Sequence, residues 1–285
     1  MRLFLLYLLI WGSPVWARAE IIQLEMRPHI KASAEYLPGQ RGKPAILLLH
    51  GFLQTREFST VAALSRGLHD AGYAVLSPTL SLGIPNRRQS LACEAVHRHS
   101  LDEDLDEIGR WMAWLKSRGH RSVVLVGHSF GSLQLLAYLN MHPDPDIKAF
   151  IGTSLVEAQA GTAPSRLKLM AELEHRSLTA AQALVTRSLS FCKKYTSAPA
   201  KLLSYVRWDQ ARTLAAVKTS PVPVQLIMGD ADNMIEQNWI KALATLKIPM
   251  VVVPGANHFM DGEHEFDLLE HTLTFLDRLN RVPLR

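Results

Sequence analysis

The sequence predicts an α/β protein, with a mostly parallel, doubly wound sheet covered by helices on both faces. Three observations carry that expectation. Short continuous apolar runs such as Ala45-Ile46-Leu47-Leu48-Leu49 and Val123-Val124-Leu125-Val126 suit strands buried on both faces, as parallel strands are. Helical patterns stand between the runs, and strand–helix–strand order implies right-handed parallel crossovers. The stretch from Val123 to Leu133 reads as a buried strand, a sharp turn carrying a serine, and the start of an apolar helix.

At the N-terminus, Met1-Arg2 precedes the apolar run Leu3 to Ile10, and Ala17-Arg18-Ala19 follows. This is the pattern of a secretory signal peptide over 1–19, cut after Ala19, which leaves one domain over 20–285. The apolar run is too short to span a bilayer, and no later segment approaches the roughly 20 apolar residues a spanning helix needs. The expectation is an exported protein, periplasmic or secreted, without stable membrane insertion. Residues 28–37 alternate weakly and end at Pro38-Gly39, which suggests an edge strand or hairpin arm. The apolar run from Ala45 is stopped by Gly51; a helix over Val61–Ala71 ends at Gly72, and Tyr73–Pro78 is the next strand.

Leu80 to His99 lacks periodicity and reads as a loop. Ser100-Leu101-Asp102-Glu103 offers a capping box for a helix to about Lys116, and Asp102, Glu103, Asp104 and Asp106 read as its solvated first turn. Beyond the central turn and helix, Ile147–Thr153 is a further strand. Residues from about 155 to 220 contain no convincing strand; helical stretches over Ser165–Glu174, Thr179–Leu189 and Leu202–Val217 suggest an inserted helical cap. A strand over Val222–Met228, a helix from about Glu236 to Leu246, a strand over Ile248–Val253 and a helix over Glu265–Leu279 complete the chain.

A length of 285 residues with 48% hydrophobic and 20% charged residues suits one large globular domain. Loss of residues 1–19 removes Arg2 and Arg18 and no acid, so the formal charge of +5 becomes +3. No basic stripe remains, and nucleic-acid binding has no electrostatic footprint. Cys93 and Cys192 are the two cysteines; in an exported chain they read equally as a disulfide or as two partly buried thiols. His97 and His99 would share a strand face, but no third ligand stands at metal-binding spacing.

Gly127-His128-Ser129-Phe130-Gly131 matches G-x-S-x-G, in which a strained strand-to-helix turn exposes a nucleophilic serine. Serine needs an oriented base, and His258 follows the last strand, at the sheet edge where open α/β proteins place their sites. The base needs an acid: Asp232 is preferred in Gly229-Asp230-Ala231-Asp232, Asp230 is the runner-up, and Glu157 is a more distant candidate. Oxyanion donors are expected from the amide of Phe130 and from the His50-Gly51-Phe52 loop, at Phe52 or, second, at Leu53.

These four segments, His50-Gly51-Phe52, 127–131, 229–232 and Gly255-Ala256-Asn257-His258, resemble in order the signature segments of the α/β-hydrolase superfamily, over roughly residues 40 to 280. Serine rather than aspartate at the elbow sets the chain apart from the haloalkane dehalogenases and epoxide hydrolases it resembles. The single glycine after His50 is similar to the GX group of esterases and lipases. The resemblance implies a serine esterase with a Ser129, His258, Asp232 triad, a small-molecule ester substrate and no cofactor. Amidase, peptidase or acyltransferase chemistry on the same machinery, or a binding protein that keeps the fold, are the alternatives.

Overall fold

The computed structural model describes residues 18–281; the expected leader lies, except for its last two residues, outside the described residues. Strands β1 (Glu20–Arg27) and β2 (Ile30–Leu37) form an antiparallel hairpin, so the arm expected over 28–37 pairs with its own N-terminal neighbour. β3 (Ala45–Leu49), helix α1 (Ser59–Asp70) and β4 (Ala74–Thr79) follow, then the short β5 (Val96–His97) and α2 (Leu101–Ser117). The elbow strand β6 (Val123–His128) runs into α3 (Phe130–Met141), and β7 (Ile147–Thr153) comes next. The cap segment holds α4 (Ala163–Thr179), β8 (Val185–Leu189), β9 (Cys192–Ser197), α5 (Pro199–Val206) and α6 (Gln210–Lys218). β10 (Val224–Gly229), α7 (Gln237–Ala244), β11 (Met250–Val253) and α8 (His264–Arg281) close the chain.

The eight-stranded sheet has the order β1-β2-β4-β3-β6-β7-β10-β11, parallel from β4 to β11 with the antiparallel hairpin at one edge. The register aligns Leu49 with Gly127, Gly127 with Gly152, His128 with Thr153, and Gly229 with Val253. The carboxyl ends of β3, β6, β10 and β11 therefore finish along one edge of the sheet, with β7 between β6 and β10, and each of the four is followed by one of the sequence segments singled out above. One apolar layer, with Val61, Leu68, Leu268 and Leu276, packs α1 and α8 on one face. The other layer buries α2, α3 and the cap. All of β6 and most of α3 are buried, as the unbroken apolar sequence of the pair requires.

The cap departs from the helical expectation. Thr179–Leu189 is not a helix: α4 ends at Thr179, and β8 and β9 form an antiparallel hairpin that joins β5 in a three-stranded sheet. Val185 and Leu189 are buried and Arg187 half-buried while Thr186 and Ser188 are exposed, a period of two across five residues that a helical reading absorbs. The helix expected over Leu202–Val217 is two helices, parted where Asp209 turns to cap α6 by accepting from the Arg212 amide.

In α2 the capping box forms: the Glu103 amide donates to Ser100 Oγ at 3.2 Å and the Ser100 amide to Glu103 Oε2 at 2.9 Å. The first turn is less solvated than expected. Asp104 is buried and accepts from Gln134 Nε2 at 2.7 Å and from the Tyr205 hydroxyl at 2.5 Å, tying α2 to α3 and α5. An acidic residue there both meets the helix dipole and satisfies two buried donors.

Candidate active site

Ser129 sits between β6 and α3 at φ 55°, ψ −123°. Such a backbone costs a non-glycine residue about 1–3 kcal/mol and persists only where its surroundings hold it. The Ser129 amide donates to the Thr153 carbonyl at 2.8 Å; the Ser132 and Thr153 hydroxyls donate to the Gly127 carbonyl at 2.7 and 2.9 Å. The flanking glycines are steric requirements. A Cβ on Gly131 would lie 2.3 Å from the His50 carbonyl oxygen, and one on Gly127 would lie 2.5 Å from the Ser132 nitrogen.

Behind the serine stands an imidazole–carboxylate pair. The Ser129 hydroxyl donates to His258 Nε2 at 2.7 Å, and His258 Nδ1–H donates to Asp232 Oδ2 at 2.6 Å. A carboxylate only accepts, so the pair assigns the proton to Nδ1 and leaves Nε2 free to accept. The second Asp232 oxygen, Oδ1, accepts from the Met234 amide at 2.9 Å. All three side chains are nearly buried. The histidine loop is fixed by hydroxyls that no local pattern marks: Ser154 donates to the His258 carbonyl at 2.8 Å and Thr60 to the Phe259 carbonyl at 2.6 Å. Gly229 lets the two loops meet, because a Cβ there would lie 2.2 Å from the Ala256 carbonyl oxygen.

The other acid candidates stand elsewhere. Asp230 is exposed and accepts from the Gly255 amide at 2.7 Å, which shapes the loop carrying the histidine. Glu157 pairs with Arg166 at 2.9 Å and accepts from the Gln159 amide. Burial, ahead of the opposing effect of those partners, raises its pKa.

His50-Gly51-Phe52 follows β3 directly and turns against the elbow. A Cβ on Gly51 would come within 3.3 Å of Ser129 Cβ, and the Phe52 and Phe130 rings lie 4.6 Å apart. Phe130 opens α3, so its amide belongs to a first turn whose N–H groups have no partner within the helix. Among the described residues, no protein acceptor is paired with the Phe52 amide. The turn is closed by the Gln54 amide donating to the Gly51 carbonyl at 3.2 Å, with Leu53 at φ 58°. Burial, then the nearby Arg87 charge, pushes the His50 pKa down to about 3, so its ring is neutral. His128, beside Ser129, is likewise lowered to about 3, first by burial and then by His258.

A cleft of about 350 Å³ opens beside this array, lined by Glu157, Gln159, Phe191, Met234 and Trp239 among others. Ser129 and His258 do not line it, but Phe191 meets the Phe52 ring edge-on at 5.5 Å and the Met234 amide binds Asp232. The cleft thus reaches the array through Phe191 against Phe52 and Met234 against Asp232. Cys93 and Cys192 are joined as a disulfide, with Cα atoms 5.2 Å apart, so the loop before α2 is bonded to the cap hairpin next to Phe191. His97 and His99 serve packing and hydrogen bonding: His97 stacks on Tyr195 at 4.0 Å, and His99 Nδ1 donates to the Tyr205 hydroxyl at 2.5 Å. Among the described residues no group of acids, histidines and cysteines could hold a metal ion.

A sheet of this order, with a serine elbow, a histidine and an acid at strand ends along one sheet edge, defines a hydrolase-type α/β protein. The model of the alpha/beta hydrolase family matches residues 46–270, and the chain belongs to that family. Three solved structures share the fold. Est1E from Butyrivibrio proteoclasticus, in a structure with ferulic acid bound, is 20% identical with a TM-score of 0.65, covering 90% of this chain and 98% of its own. The esterase domain of a Rhodothermus marinus protein is 15% identical with a TM-score of 0.60, covering 92% and 98%. The thioesterase domain from the curacin biosynthetic pathway is 17% identical with a TM-score of 0.59, covering 92% and 100%. No functionally curated protein matches the sequence.

Proposed function

We propose that this chain is an exported serine hydrolase that cleaves carboxylic esters through an acyl-enzyme. The supporting observation is the unbroken line from Ser129 Oγ to His258 Nε2 at 2.7 Å and from Nδ1 to Asp232 at 2.6 Å, mounted on a strained elbow. Ser129 attacks the ester carbonyl as His258 Nε2 takes its proton. Asp232 holds the imidazole in the Nδ1–H tautomer and stabilises the imidazolium. The amides of Phe130 and Phe52 receive the charge on the tetrahedral oxygen, where each donor is worth about 3–4 kcal/mol. His258 then protonates the leaving alkoxide, and a water activated by the same nitrogen releases the acid.

The cleft beside Phe191 offers room for a compact substrate, and its mixture of carboxylate, amide and aromatic groups suits a small acid or alcohol that itself carries polar substituents. The ferulic acid held by Est1E and the esterase and thioesterase domains of similar fold add weight to acyl transfer as the reaction class. Export is supported by the leader-like residues 1–19 and by the Cys93–Cys192 disulfide, which suits an oxidising compartment. Among the described residues no helix is long and apolar enough to cross a membrane.

The test is a fluorophosphonate probe on the purified chain and on Ser129→Ala, followed by p-nitrophenyl esters of increasing chain length, a thioester and an anilide. Wild-type labelling that is absent from Ser129→Ala is the expected result. A folded wild type that stays unlabelled would refute the reading.

A further inference from the structure

Arg87 lies in the connection between β4 and β5 and is only 4% exposed, although Asn86 and Arg88 on either side are exposed. Its guanidinium donates to backbone carbonyls: Nε to Leu80 at 2.8 Å, Nη1 to Gln89 at 2.9 Å and Leu53 at 3.3 Å, and Nη2 to Gln54 at 2.7 Å. Nη2 also stands 3.5 Å from His50 Nε2. Among the described residues no carboxylate lies within ion-pair distance; Asp104 and Glu107 act on Arg87 from further off. A buried cation ordinarily recruits a carboxylate, because desolvation is otherwise too costly. Here the charge is spread over carbonyls, and two of them, Leu53 and Gln54, directly follow Phe52.

The same turn is held from outside at further points. The Leu53 carbonyl also accepts from the Leu91 amide at 2.9 Å. Leu53 occupies the third position of the Gly51–Gln54 turn at φ 58°, where glycine is the favoured residue. His50 Nδ1 donates to the Gly51 carbonyl at 2.9 Å, and its Nε2 accepts from the Leu80 amide at 3.1 Å. A strained turn of this kind relaxes when its external donors are removed, and the Phe52 amide moves with it.

We propose that Arg87 is a positioning residue for the oxyanion site, fixing the Leu53 and Gln54 carbonyls and through them the Phe52 amide. This rests on Ser129 acting as the nucleophile. An amide that meets charge only in the tetrahedral intermediate contributes to kcat and leaves substrate binding largely unaffected. A lysine keeps the charge but cannot reproduce the planar fork that reaches these carbonyls.

The experiment compares wild type with Arg87→Lys, using p-nitrophenyl butyrate turnover and inhibition by an aryl trifluoromethyl ketone, whose serine adduct carries an oxyanion. The expected result is a fall in kcat of about 10²-fold, KM within about twofold, and a loss of ketone affinity that matches the fall in kcat. Unchanged kcat and ketone affinity in folded Arg87→Lys would overturn the proposal, as would a loss carried by KM alone. Should Arg87→Lys not fold, Arg87→Gln takes its place; failure of both to fold would assign Arg87 to the fold and also overturn it. Fluorophosphonate labelling of the wild type separates this failure from that of the nucleophile itself.

Discussion

Replacing Asp232 by asparagine changes one oxygen for a nitrogen, and the surroundings decide which way the new amide faces. Oδ1 accepts from the Met234 amide at 2.9 Å while Oδ2 accepts from His258 Nδ1 at 2.6 Å. The asparagine has one oxygen to serve both donors. Keeping the Met234 bond turns the NH2 group toward His258, which must then accept at Nδ1 and carry its proton on Nε2. In that tautomer Nε2 cannot accept the Ser129 proton. The opposite rotamer faces NH2 against the Met234 N–H and leaves a buried donor unpaired, at about 1–3 kcal/mol. Asp232→Asn is therefore expected to lower kcat by about 10⁴-fold, the scale seen when a serine triad is forced into the wrong tautomer. That fall corresponds to about 5 kcal/mol of transition-state stabilisation. Asp230→Asn is the control: this side chain is exposed and supports only the Gly255 amide, so kcat should fall less than about tenfold. The assay is ester hydrolysis at neutral pH, with folding checked by near-UV circular dichroism. A folded Asp232→Asn losing less than tenfold, or an equal loss in Asp230→Asn, would refute this assignment of the acid.

Two further outcomes follow from the disulfide and the buried histidines. The bridge between Cys93 and Cys192 closes a separation of 99 residues, and its removal in Cys93→Ser/Cys192→Ser should cost up to about 4–5 kcal/mol in urea unfolding. Equal thiol counts with and without reductant, in denaturant, would show that the bridge does not form. Burial holds the folded pKa of His128 near 3, below its unfolded value of about 6.5, so the unfolded chain binds the extra proton between those limits. Its contribution is complete above pH 6.5 and is lost as pH falls toward 3, by about 1.4 kcal/mol per pH unit for each proton taken up. His128→Phe, stacked on Phe58 as the imidazole is, should lessen the fall of the urea midpoint with pH in that window, leaving the share of His50, which burial also holds near 3; an unchanged slope would contradict this.

The parts of the fold that read directly from the sequence are those buried on both sides. β3, β6 and β7 are continuous apolar runs because nothing but protein surrounds them, and β7 spans the residues expected of it. The capping box at Ser100 was visible because its signal is local. The β8–β9 hairpin was hidden for the opposite reason. Its strands are half exposed and rich in Lys, Ser and Thr, and its turn runs through Ser190 at φ 50° and Phe191, with no glycine to mark it. In the site, the residues that the structure brings together carry glycine-rich or strand-end signatures. Thr60 and Arg87 carry none, and Ser154, though it directly follows β7, does not show in sequence that its hydroxyl reaches the His258 carbonyl. Each acts through a backbone carbonyl distant in sequence, and Arg87 beside Arg88 looks like ordinary surface charge until the fold turns it inward.

The order of strands also has a consequence for the chain as it is made. Ser129 stands at the end of β6, three strands before the sheet is complete, while the carboxylate and imidazole arrive only with β10 and β11, which pair through Leu226–Met250 to Gly229–Val253. A chain still emerging from the ribosome can complete the elbow before the His258 imidazole and the Asp232 carboxylate are in place. Its serine is then an ordinary hydroxyl, inert toward any ester it meets. On the proposed function, reactivity appears only with the last parallel strand, and a chain truncated before His258 is expected to be inactive. Appearance of probe labelling during refolding would time the closing of the sheet.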